Sequence, residues 1–136
     1  MRCLITLAIM AVFSLSTNVS AHELIFKCST ENNKSISVYK DGENLTYTFG
    51  KKNTQPEMEL TRNKEQLSIT QEIPVGTGLN SSIEFKNGIY SYTITESLNR
   101  VSNEHEASAW LDVSKNKDVI SSMDCYIDYG SLSDID

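Results

Sequence analysis

Beyond residue 22, apolar and polar positions alternate with period two along most of the chain, β-branched and aromatic residues being set against Ser, Thr and Lys. Half-buried antiparallel strands require this pattern, because successive side chains leave opposite faces of a sheet. Residues 23–29 place Leu24, Phe26 and Cys28 on one face, residues 35–39 place Ile36 with Val38, and residues 45–49 group Leu45, Tyr47 and Phe49. Shorter alternations follow at 57–60, with Met58 and Leu60, and at 67–71, with Leu67 and Ile69. Residues 107–113 set Ala107, Ala109, Leu111 and Val113 against Ser108, Trp110 and Asp112, which predicts Trp110 on the face away from the apolar row. The last alternation, 119–126, aligns Val119, Ser121, Met123 and Cys125. No stretch carries the repeat of an amphipathic helix.

Turn residues punctuate these strands. Asp41-Gly42 marks a turn between the second and third. Asn87-Gly88 predicts a type I′ hairpin joining 82–86 to 89–96, since both central residues of that turn take positive φ and this dipeptide accepts it at little cost. Short strands with turns between them predict an all-β fold, a single small antiparallel β-barrel or β-sandwich of about eight strands. Longer polar connections are expected at 61–66, 74–82 and 99–106.

The N-terminal segment changes the picture of where such a domain works. Arg2 supplies a positive start, residues 4–15 an apolar run, and Val19-Ser20-Ala21 a small-residue cleavage site, the three parts of a secretory signal peptide over 1–21. The apolar run is short for a membrane span, so a product free of any membrane anchor is expected, periplasmic or secreted. Cleavage removes Cys3 and leaves Cys28 and Cys125, the count expected of one disulfide in an oxidising compartment. By chain entropy, a bridge closing roughly a hundred residues contributes about 4 to 5 kcal/mol at most. The expected organisation is a signal peptide at 1–21, a β domain at 22–127 and an acidic, flexible tail at 128–136 that frays.

Without the leader, eleven Lys and Arg face eighteen Asp and Glu, a formal charge of −7. Such a balance disfavours nucleic acid as a partner, where basic residues provide most of the attraction, and favours a basic protein. A homodimer is also compatible with this surface. His105 stands between Glu104 and Glu106, but neighbouring side chains in an extended segment diverge, so no metal site and no cofactor are expected. No serine lies in a nucleophile-elbow sequence, and an enzyme is not the favoured class.

An exported, disulfide-closed β domain of this size, opening with Phe26-Lys27-Cys28 and closing with a Cys in its final strand, resembles the periplasmic lysozyme inhibitors. It is also similar in plan to secreted immunity proteins that protect bacteria from cell-wall hydrolases. The resemblance implies a protein that occludes the cleft of a lysozyme-like muramidase with a loop. Inhibitors of the C-type lysozyme class carry a Ser-Gly-x-x-Tyr loop; the nearest segment here, 75–81, has a different order. On this footing the partner-contact candidates are Gly76, Thr77, Gly78, Asn80 and Ser81 in one long connection and Arg100 and His105 in the other. The alternative class is a structural or adhesive envelope module docking through an exposed strand edge. A carbohydrate-binding or hydrolytic domain is the third.

Overall fold

The computed structural model describes residues 22–136, so the signal-peptide reading at 1–21 lies outside the described residues. Nine strands follow in order: β1 (Glu23–Ser29), β2 (Lys34–Asp41), β3 (Asn44–Lys51), β4 (Met58–Asn63), β5 (Ser68–Val75), β6 (Gly78–Asn87), β7 (Tyr90–Asn99), β8 (Ala107–Lys115) and β9 (Asp118–Gly130). Every expected strand is present, and most extend a few residues further than the alternation alone indicates. The count is nine rather than about eight.

All nine form one antiparallel sheet in the order β4-β3-β2-β1-β9-β8-β7-β6-β5. A flat sheet would hold β3 and β7 five strand spacings apart, roughly 24 Å. Yet the ring of Tyr47 on β3 stacks on Tyr92 of β7 at 5.6 Å and meets Phe85 of β6 at 5.5 Å. The sheet therefore curls until its two halves face each other. It is a half-barrel and not a closed barrel, because β4 and β5 remain unpaired edges. Antiparallel pairing throughout leaves β4 and β5 running in the same sense, which rules out a hairpin between them. A single 3₁₀ turn, Lys64–Gln66, carries the chain from one edge to the other. Arg62 spans the gap, its Nη2 donating to the Lys86 carbonyl at 3.0 Å.

The concave face is the core. Phe26, Ile36, Val38, Leu45, Tyr47, Ile83, Phe85, Ile94 and Leu111 are essentially sealed from solvent. Cys28 and Cys125 are disulfide-bonded on the neighbouring strands β1 and β9, both buried, with their Cα atoms 5.5 Å apart. Trp110 lies on the convex face, as the alternation predicts, while Ala109 and Leu111 turn inward.

Three expectations need correction. The hairpin after β6 turns at Gly88-Ile89, with Asn87 already paired to Tyr90. Only Gly88 takes positive φ there, at 64°, because β-branched Ile89 resists it, and a turn with positive φ at the first position alone is of the II′ kind. Second, the connection expected over 74–82 shrinks to a two-residue turn, Gly76-Thr77, since Val75 pairs with Gly78. Third, the tail does not fray. β9 continues to Gly130, which pairs with Phe26 at a φ of 72°, and a Cβ there would collide with the Ile25 carbonyl. Past it the chain turns inward through a 3₁₀ turn, Leu132–Asp134, and buries Leu132 and Ile135 completely.

Candidate functional site

Two of the sequence-marked connections come together at one end of the sheet. The β5–β6 hairpin ends in Gly76 and Thr77, with Gly76 at a φ of 57°. Beside it, the β7–β8 connection runs over residues 100–106. Asn99 folds the start of this loop, its Oδ1 accepting from the backbone of Val101 at 3.1 Å and Ser102 at 3.3 Å. The far end is closed by Asn99 N–H donating to the Glu106 carbonyl at 2.8 Å.

Arg100 laces hairpin and loop into one tip. Its backbone N–H donates to the Thr77 carbonyl at 2.9 Å, and its Nη2 donates to the Gly76 carbonyl at 2.7 Å. A charge-assisted bond of this kind is stronger than a neutral one, so the guanidinium braces the tip instead of standing as a free cation. His105 sits exposed near the end of the same loop at a φ of 46°, its N–H donating to the Ser102 carbonyl.

The remaining candidates separate. Gly78, Asn80 and Ser81 belong to β6, not to a loop. Ser81 points inward, is only 4% exposed, and its Oγ accepts from the backbone N–H of Glu72 at 3.0 Å. Glu72 lies in the β-bulge of β5 at a φ of 51°, so Ser81 satisfies a donor that the bulge removes from the ladder. It is a structural residue and is withdrawn from the contact set. Asn80, by contrast, lies on the convex face.

Two residues were missed as candidates for the tip. Val75 is 57% exposed and Val101 72% exposed, flanking the hairpin and the loop. An isolated valine within the polar stretch 99–106 was the available signal. The charge distribution was missed as well. Residues 22–65 carry seven acidic and seven basic groups, whereas residues 66–136 carry eleven acidic and four basic ones. The whole acid excess therefore belongs to the half of the chain that builds β5–β9 and the tip. Among the described residues, no three His, Cys, Asp or Glu side chains group as a metal site. No helix among them is long and apolar enough to cross a membrane.

The tip exposes Thr77 and two aliphatic side chains, Val75 and Val101, while the Gly76 and Thr77 carbonyls accept from Arg100. The class so defined is a disulfide-closed, single-sheet β protein with a hairpin and a loop hydrogen-bonded together at one end. Comparison of the chain with protein families, with curated proteins and with solved structures finds no match.

Proposed function

We propose that the chain is an exported binding protein that inhibits a cell-wall hydrolase, as a lysozyme inhibitor or immunity protein, by seating its tip in the enzyme's cleft. The observation that carries this reading is the Arg100 brace, which hydrogen-bonds hairpin and loop together beside exposed Val75 and Val101. Preorganisation of this kind removes the ordering cost that a floppy loop would owe on binding. The acid excess of residues 66–136 supports a basic target and steered association. A buried disulfide supports an oxidising compartment. In this reading the protein acts by occlusion and carries out no chemistry of its own.

Affinity capture tests it. The disulfide-bonded protein, used as bait against a mixture of basic muramidases and amidases, should retain at least one of them. Its association rate should fall steeply between low and physiological salt. The double substitution Val75→Asp and Val101→Asp, both on the exposed tip, should abolish capture and leave the melting temperature unchanged. Capture indifferent to both salt and tip would remove the model. Docking through a free sheet edge is the alternative, and it falls to β4, since β5 is interrupted by the bulge at Glu72 and by Pro74, which has no N–H to offer.

A further inference from the structure

The convex face of β6–β9 carries a second feature, which adjoins the tip through Val75 and Thr77. Trp110 is the chain's one tryptophan, and it lies outside the hydrophobic core. Directly across the strands it faces Thr95 on one side and Asp124 on the other. Thr95 points away from the core and is still only 9% exposed, so its neighbours on the convex face cover it. Tyr126, 59% exposed, stands beside this depression with its hydroxyl fixed by a 3.0 Å bond to Glu31.

The depression at Trp110 adjoins a second one, with Ala107 and Ser108 lining both. The second is floored by small residues, Gly78, Asn80, Ser97 and Ser108, with Val75 and Glu106 at its sides. Gly78 makes the room: a Cβ there would lie 2.6 Å from Ser97 Oγ and 3.0 Å from Asn80 Oδ1. Asn80 Oδ1 is buried and has no hydrogen-bond partner. An unpaired buried acceptor costs free energy that a donor from a ligand would return. From β8 to β6 the groove crosses two strand spacings, roughly 10 Å.

We propose that this groove binds a neutral oligosaccharide. The apolar face of one pyranose ring packs on the indole of Trp110, its hydroxyls donating to Asp124, and the next ring lies over Ser108 and Ser97 with a hydroxyl donating to Asn80 Oδ1. Aromatic surface for the C–H face and planar acceptors for the hydroxyls are what a sugar offers partners for. Neutrality follows from charge: Asp112, Asp124 and Glu106 have no ion-pair partner among the described residues, so a carboxylated or sulfated glycan is repelled. This inference does not rest on hydrolase inhibition, although its groove shares Val75 and Thr77 with the tip, and its sugar titration tests it separately.

Trp110 is also the reporter. Titrating the disulfide-bonded protein with chitotetraose, cellotetraose and maltotetraose should give a saturable change in its fluorescence with at least one of them, matched by calorimetric heat. Trp110→Ala should abolish the heat, Trp110→Phe should retain most of it, and Asp124→Asn and Asn80→Ala should each weaken binding about tenfold. Asp124→Asn keeps side-chain shape and Asn80→Ala removes an acceptor that makes no hydrogen bond in the fold, so they serve if Trp110→Ala fails to fold. Absence of saturable binding by all three sugars overturns the proposal. So does binding that survives Asp124→Asn and Asn80→Ala together, or binding confined to polygalacturonate or heparin fragments.

Discussion

Tyr47 is held in its neutral form by where the curl of the sheet puts it. Burial first, and the neighbouring Tyr92 second, push its hydroxyl well above the ordinary tyrosine range. Because the folded state disfavours the phenolate, this contribution is complete below the unfolded value of about 10 and is lost as pH rises above it. The melting temperature should accordingly fall above pH 10, and Tyr47→Phe should flatten that fall; equal slopes for both proteins would deny Tyr47 the role. Glu96 is the other decisive single residue. It projects into the concave side from β7, where its Oε2 accepts from Leu132 N–H at 2.6 Å and from Ser131 Oγ at 2.9 Å. Those bonds hold the start of the 3₁₀ turn that brings Leu132 and Ile135 into the core. Glu96→Ala should cost about 1 to 3 kcal/mol in urea unfolding, and a smaller loss for Glu96→Gln would separate the charge from the hydrogen bonds.

At the scale of elements, the strands were legible because each carries its own alternation. The Ala107–Val113 row reads directly into inward Ala109 and Leu111 and outward Trp110. The turns at Gly42 and Gly88 were legible to within a residue, whereas Gly76-Thr77 was hidden within a longer expected connection. Gly42, Gly76 and Gly88 each supply positive φ at the first of two central positions, and only Asn116-Lys117 takes it at both. The displaced hairpin at Gly88 follows from one competing preference, the reluctance of Ile89 to take positive φ. The tip was half legible. Gly76, Thr77, Arg100 and His105 were marked from sequence, but that Arg100 braces Gly76 depends on β6 and β7 aligning Gly78 with Asn99, a register no local pattern states. Arg100→Ala should change stability by less than about 1 kcal/mol, since the side chain is exposed, yet weaken a captured partner at least tenfold through loss of preorganisation. Parallel urea unfolding and binding titrations check this, and equal affinity would relieve Arg100 of the bracing role.

For the whole molecule, non-local pairing decides what the sequence pattern leaves open. Alternation predicts about eight strands and an inner face; it does not say that there are nine, that β1 and β9 meet in the middle or that β4 and β5 become the edges. The tail was misread for a related reason: Asp128, Tyr129 and Gly130 look like the end of a strand, and only pairing of β9 with β1 gives Gly130 its close approach to Ile25. The disulfide, in contrast, was legible from the cysteine count, once residues 1–21 are read as an expected leader that takes Cys3 away. It joins the first and last strands, 97 residues apart, across the centre of the sheet. Replacing Cys28 and Cys125 together with Ser should lower unfolding free energy by about 3 to 5 kcal/mol, read by urea unfolding of variant and reduced parent. A loss near zero would mean that the curled sheet holds its ends without the bridge.

Turnover measures most directly the proposed blocking of a wall hydrolase by the braced tip. Titrating the disulfide-bonded protein into a basic muramidase that it captures, with peptidoglycan as substrate, should abolish turnover at stoichiometric addition. The Val75→Asp, Val101→Asp protein should leave turnover intact. Full activity at a large excess of the parent protein, or equal inhibition by the tip variant, would contradict the account.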